Sequence, residues 1–365
     1  SKLHPKPSIK NEVFIAAGAT YYVDSATGNN SNPGTQSLPW KTIQQAANTM
    51  VTGDKVIVQG GTYNERVTET TSGNSGDQII YQVNPGDTVI CKGFTINGSY
   101  VTVDGFKVDA DGNNEITGAG FYVTGTYVTV KNCFVTECPY RGIYYTGSTS
   151  HGYIYNNRCY HNGQNGMTIS GSYNLIENNE IWESVQHHPQ APNIPGADAD
   201  AIRFHGDHHI FRGNWIHEPA LYSDPLNTDP HIDCFQTFDD SIGGKPTATY
   251  CTIERNHCRH NRDPWYTMML EGSSSNPVHD LTIRNNIFEV GAGPNINSSG
   301  GGNAHHIYIY NNTFIGKTSA TGDWVTPIYA EYVDVLEFKN NITVNYNGGV
   351  HRALNSCTNI AVDYN

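Results

Sequence analysis

Two short segments gather the side chains able to do chemistry: Asp198-Ala-Asp200-Ala-Ile-Arg203-Phe-His205 and, further along, His231-Ile-Asp233-Cys-Phe-Gln236-Thr. If Ile202 and Phe235 hold equivalent inward positions, Asp198 faces His231, Asp200 faces Asp233 and Arg203 faces Gln236, one strand spacing of about 4.8 Å apart. Carboxylates that close cannot both stay ionised without a cation, a shared proton or a basic neighbour. Three readings follow. Asp198, Asp200 and Asp233 are hard oxygen donors suited to Ca2+. Asp200 and Asp233 form the acid/base pair of a glycosidase. In the plainest reading the acids only cap turns. The joint presence of Asp, Asp, His and Arg beside the two largest insertions of the chain favours function.

Neighbouring residues extend the set. His231 is the preferred base, because an imidazole titrates near neutrality and this one accompanies carboxylates. Arg203 and Lys245 are alternatives, although a guanidinium is very hard to deprotonate. Arg203 is also suited to gripping a uronate carboxylate bidentately, with Gln236 and His205 beside it. Tyr222, Trp265 and Tyr266 offer flat faces for pyranose rings, and Glu271 extends the carboxylate row. Each has a bland counterpart: a surface ion pair for Arg203, loop packing for the aromatics. His187, His188, His205, His208, His209 and His231 crowd the same stretch, but no HExxH or comparable spacing occurs, so solvated or turn histidines are expected there.

The elements that position these residues form a repeat. Val103-Asp-Gly-Phe-Lys-Val, Val130-Lys-Asn-Cys-Phe-Val, Ile154-Tyr-Asn-Asn-Arg-Cys, Ile176-Glu-Asn-Asn-Glu-Ile and Phe211-Arg-Gly-Asn-Trp-Ile share one pattern. It continues in Ile253-Glu-Arg-Asn-His-Cys, Ile283-Arg-Asn-Asn-Ile-Phe, Ile309-Tyr-Asn-Asn-Thr-Phe and Phe338-Lys-Asn-Asn-Ile-Thr. Period-two alternation means strands, and an interval of roughly 22 to 30 residues is one coil of a solenoid. Asn at the turn tolerates a left-handed backbone, and its side chain can bond the equivalent turn of the next coil. An antiparallel sandwich would use hairpin dipeptides and less regular loops. Two intervals are oversized, inserting residues 183–199 and then 218–231 plus 239–249.

Upstream, Tyr21-Tyr-Val-Asp-Ser-Ala-Thr-Gly-Asn-Asn-Ser-Asn-Pro-Gly-Thr leads to Pro39-Trp-Lys-Thr-Ile-Gln-Gln-Ala-Ala-Asn and Gly53-Asp-Lys-Val-Ile-Val-Gln-Gly-Gly-Thr-Tyr. Residues 42–50 read as an amphipathic helix with Ile43, Ala46, Ala47 and Met50 on one face. With the Asn coils, this block resembles the pectin-lyase-like superfamily, particularly its extracellular polysaccharide-active members. The resemblance covers residues 21–365. It implies an all-β, right-handed parallel β-helix of about nine to eleven coils, closed by an N-terminal capping helix after a lead segment of residues 1–20. It also implies a secreted protein with a polysaccharide or oligosaccharide substrate.

The reaction is not implied, because this fold hosts lyases, hydrolases, epimerases and adhesins. Asp198-Ala-Asp200-Ala-Ile is similar to a polygalacturonase strand whose accompanying motifs are not matched here. Asp229-Pro-His231 resembles a mannuronan epimerase motif, and the lysine base of calcium-dependent pectate lyases has no clear counterpart. The expected activity is a polysaccharide lyase working by β-elimination on a uronic-acid polymer, with Ca2+ as its candidate cofactor. A glycoside hydrolase using Asp200 and Asp233, and a non-catalytic glycan-binding solenoid, are the alternatives.

Composition narrows the field further. Of 365 residues only 15% are charged, Lys plus Arg number 21 against 34 Asp plus Glu, and the formal charge is −13. With no basic run to follow a phosphate backbone, nucleic acid is not an expected partner. Apolar stretches are strand-sized, so no membrane partner is expected, and the chain is expected to be a monomer. Residues 1–11 are polar and carry Pro5 and Pro7, unlike a secretory signal, as a trimmed mature chain would also be. The eight cysteines form no CxxC; most substitute for apolar repeat positions and are expected in the core, with no pairing specified.

Overall fold

Short runs of alternating burial make the strands, and left-handed turns between them bring each run back over its predecessor. The computed structural model describes residues 18–110, 118–186, 198–220, 232–240, 245–260, 266–296, 304–316, 326–346 and 352–364. Over these residues the chain forms 34 strands, and every ladder pairing is parallel. The strands line three faces of a solenoid. On the first face, Thr20–Val23 pairs with Lys55–Val58, and the ladder passes through Tyr153–Tyr155 and Ile210–Arg212 to Thr358–Tyr364. It has thirteen rungs. Nine carry the Asn signature; three before them and one after do not, so counting signatures understates the number of coils.

The turn assigns two jobs to two adjacent residues. Asn132, Asn156, Asn178, Asn285, Asn311 and Asn340 take φ between 53° and 58°, the left-handed region that Asn tolerates. The next residue is buried and forms a ladder: Asn157, Asn179, Asn214, Asn256, Asn286, Asn312 and Asn341 stack one coil apart. Asn179, for example, donates both its backbone N–H and its Nδ2 to Asn214 Oδ1 at 3.0 Å, and Nδ2 also reaches Ile154 O at 3.0 Å. A buried corner that would leave backbone groups unpaired is thereby satisfied.

Inside, like residues stack in register. Phe94 lies over Phe121 with ring centroids 5.5 Å apart, and Phe288, Phe314 and Phe338 continue the theme at 5.3 and 5.7 Å. Each coil therefore buries the apolar row of the next, as a repeat fold requires. The helix is shorter than the sequence suggests, Ile43–Ala47, with Thr42 Oγ1 accepting from Gln45 N at 3.2 Å as its N-cap. Ile43, Ala46, Ala47 and the following Met50 all join the core. Cys91, Cys133, Cys138, Cys159 and Cys251 are buried thiols, as expected, whereas Cys234 and Cys258 form a disulfide that the spacing did not specify. Among the described residues no helix is long and apolar enough to cross a membrane.

Candidate functional site

The third face carries the predicted cluster in the predicted register. Strand Asp200–Phe204 lies between Asn165–Ile169 and Phe235–Thr237, with Ile202 opposite Phe235 and Arg203 opposite Gln236. Asp200 pairs with Asn165, which pairs with Arg141, so the row runs Arg141, Asn165, Asp200, Asp233. Tyr266 comes next, two residues before Met268, the partner of Phe235. Side chains at this strand start curl onto the residue three further on. Arg141 lies over the Tyr144 ring at 4.9 Å, Thr168 Oγ1 donates to Asn165 Oδ1 at 3.1 Å, and Arg203 Nη2 donates to Asp200 Oδ2 at 2.8 Å.

Arg203 is the hub. Its Nη2 also donates to Asp198 Oδ2 at 2.7 Å, its Nε donates to Gln236 Oε1 at 2.9 Å, and its guanidinium sits 5.1 Å from the Phe238 ring centre. Three of the five donors of a guanidinium are thus engaged. The two on Nη1 have no partner among the described residues. Asp200 is fully buried; its Oδ1 accepts from the backbone N–H of Asp233 at 3.1 Å, and its own carbonyl accepts from Ser184 Oγ at 3.1 Å. Asp233 is equally buried, yet neither carboxylate oxygen has a hydrogen-bond partner among the described residues.

Burial pushes the Asp200 carboxyl up to about 7, with Arg203 opposing and Asp198 reinforcing the rise. Asp233 rises well above the usual range, first through burial and then through the negative charge of Asp200, Asp198 and Glu271. At neutral pH the pair shares at least one proton unless a cation replaces it. His205, also fully buried, moves the other way, down to about 3: burial disfavours its charged form, and Lys245 and Arg203 add repulsion. It packs edge-to-face on Phe238 with both ring nitrogens unpartnered among the described residues.

The remaining candidates divide. Tyr266 and Glu271 lie close enough to Asp233 to feel its charge. Lys245 pairs with Asp240 at 3.2 Å and lines a separate cavity of about 220 Å3 with Ser170, Ser172 and Asp207. His231, Tyr222 and Trp265 lie outside the described residues, so the expected pairing of His231 with Asp198 has no structural counterpart here. Among the described residues, Asp198, Asp200 and Asp233 are not gathered closely enough to hold a metal ion as they stand; Arg203 bridges the first two instead. Sequence reasoning missed Phe238, Tyr144 and Asp240. Phe238, two residues past Gln236, was findable from strand parity; Asp240 belongs to a turn that only folding brings back to Lys245.

A family model for Pel9A-like, right-handed β-helix regions matches residues 21–237, which include every described residue of the cluster as far as Gln236. The chain belongs to the Pel9A-like right-handed β-helix family. The chain is similar to pectate lyase L of Dickeya chrysanthemi, 28% identical over 205 residues, or 52% of this chain and 41% of that protein. Pectate lyase L of Dickeya dadantii (strain 3937) matches equally at 28% over 203 residues. The matched stretch therefore spans about two fifths of these relatives' length. Among solved structures, pectate lyase Pel9A superposes with a TM-score of 0.56 at 19% identity, covering 93% of this chain and 80% of its own. A GH136 lacto-N-biosidase from Eubacterium ramulus gives 0.57 at 13%, covering 94% and 68%. At such identities the superpositions report the Pel9A-like fold alone.

Proposed function

We propose that this chain is a secreted polysaccharide lyase that cleaves a uronic-acid polymer by β-elimination across the third face. The observation that carries the reading is the combination of an Arg203 Nη1 with no partner among the described residues and the buried carboxylate of Asp233, likewise unpartnered among them. The names of the Dickeya relatives support a pectate-like substrate, and the Cys234–Cys258 disulfide supports an oxidising compartment.

In this reading Asp198, Asp200 and Gln236 hold the guanidinium rigid, and its Nη1 donors take the uronate carboxylate. Drawing off that negative charge makes the C5 proton easier to remove. A base takes the proton, the C4–O bond breaks, and its electron pair leaves with the departing sugar as the C4–C5 double bond forms. His231 is the proposed base, on its near-neutral intrinsic pKa and its place two residues before Asp233. His205 is held neutral at a pKa too low for that role and serves as packing behind Arg203 and Phe238. The orphaned oxygens of Asp233, with Asp200 beside them and Glu271 near, fit a hard cation such as Ca2+. When bound, it would supply positive charge to the uronate carboxylate and take the place of the shared proton.

The test is incubation with a panel of uronic-acid and neutral polysaccharides, with calcium or with chelator, following reducing ends and the ultraviolet absorbance of an unsaturated product. Both signals rising together establishes elimination. Reducing ends without absorbance makes Asp233 the protonated general acid of a hydrolase, a reading its raised pKa favours. Silence across the panel, with glycan binding retained in Asp200→Asn, leaves a binding solenoid.

A further inference from the structure

Where each coil enters the first face, one residue takes the left-handed region. In the N-terminal coils these are Tyr100, Tyr127, His151, Tyr173, His208 and Tyr250, with φ of 54–56°. Their rings stack along the solenoid with centroids 4.4–5.2 Å apart. The residues just before them pair in register as a row of small or short side chains, Ser150, Ser172, Asp207 and Thr249. The next two coils break both rows at once. His279 and His305 continue the short row in register, while Asp280 and His306 continue the left-handed one, with φ of 54°. Two dipeptides, His279-Asp280 and His305-His306, therefore form a two-by-two array of metal-ligating types.

The geometry of the array is tight. His279 and His305 lie ring on ring, 4.6 Å apart at 8°. Asp280 Oδ2 is 2.7 Å from His279 Nδ1, and its Oδ1 is 3.7 Å from His306 Nδ1. His305 Nδ1 and His306 Nδ1 face each other at 3.0 Å, so at least one presents a bare lone pair. One donor atom from each of His279, Asp280 and His305 lies within 4.8 Å of the other two, a gathering of three groups that could hold a metal ion. Ligands around a tetrahedral ion with bonds of about 2.0 Å sit roughly 3.3 Å apart, within a side-chain rotation of these positions. Water reaches the array: the side chains of His306 and Asp280 are 45% and 30% exposed. A cavity of about 370 Å3 opens beside it, lined by His305, His306, Tyr332, Asp334, Ser356 and Thr358.

We propose that His279, Asp280, His305 and His306 form a site for a borderline divalent transition cation, of which Zn2+ is the representative, on a different face from the Asp200–Asp233 cluster. Three imidazoles and one carboxylate suit such an ion and not Ca2+, which takes oxygen donors. The ion clips strand His279–Arg284 to strand Ala304–Tyr310, and so fastens adjacent C-terminal coils to each other.

The experiment is calorimetric titration of the tag-free protein with Zn2+, paired with thermal unfolding with and without the ion. One equivalent is expected to bind, raising Tm. His279→Ala and His305→Ala should each weaken binding by at least about tenfold and abolish the Tm increment. Asp200→Asn should leave both unchanged, and His279→Ala should leave any polysaccharide cleavage unchanged, which separates this site from the lyase reading. His306→Ala, at a half-exposed position, covers the case in which a variant of the more enclosed His279 or His305 fails to fold. Absence of saturable binding, or binding that persists in the His279→Ala/His305→Ala double variant, overturns the proposal.

Discussion

The backbone N–H of Asp233 donates to Asp200 Oδ1 at 3.1 Å. The two acids of adjacent coils are therefore joined by a main-chain-to-carboxylate bond, and Asp200 is held by groups on both sides while Asp233 keeps an unpartnered carboxylate among the described residues. This asymmetry separates their roles. Asp233→Asn should lower kcat/KM by about 10²-fold or more with little change in Tm, because the amide keeps the size of a side chain whose charged form burial already opposes. Steady-state rates on the responsive polymer, beside a melting curve, check it; activity within threefold of wild type would move the chemistry elsewhere.

Stability should depend on pH through the same pair. A carboxyl whose folded pKa is raised adds stability below its unfolded value, about 4, and loses it as pH rises through the folded value. For Asp200 that window runs from about 4 up to about 7. Tm should therefore fall between about pH 4 and about pH 7, and Asp200→Asn should flatten the fall. A wild-type profile that is level over this range contradicts the assignment.

Arg203→Lys keeps a positive charge but loses the planar fork that spans Asp198, Asp200 and Gln236. KM for a uronic-acid polymer should rise by about tenfold or more, with a smaller fall in kcat, since a mobile ammonium positions the substrate carboxylate poorly. Equal KM values for the two proteins would remove Arg203 from substrate binding.

Asn256 accepts from Asn214 N and Nδ2 at 2.9 Å and donates to Phe211 O and Asn286 Oδ1 at 3.0 Å. Replacing it by Ala strands buried donors and acceptors in the two flanking coils and should cost roughly 2–5 kcal/mol in denaturant unfolding. Arg255→Asn, one residue earlier at φ 57°, should be neutral or stabilising by less than about 1 kcal/mol, because Asn tolerates that backbone better.

The disulfide adjoins Asp233 and ties it to strand His257–Arg259 on the second face. Cys234→Ser/Cys258→Ser should lower stability by about 2–4 kcal/mol, and wild type in strong reductant should approach the variant's unfolding midpoint. A midpoint indifferent to reductant would show that the bond contributes nothing.

Much of this protein is legible in the amino-acid order. The Asn signature determines the coil because left-handed backbone and a stackable amide are local properties of that residue. Period-two burial determines the register, since a one-residue slip would turn Ile202 and Phe235 outward. Register alone then places Arg141, Asn165, Asp200 and Asp233 in one row, as the pairings show. Tertiary structure decided the rest. Which way a corner side chain turns, that Arg203 neutralises Asp198 and Asp200 while Asp233 finds no partner among the described residues, and that Cys234 meets Cys258 all depend on volumes and charges contributed by other coils. The pairing of His279-Asp280 with His305-His306 was written in the sequence too, but became visible only once two coils of unequal loop length were laid over each other.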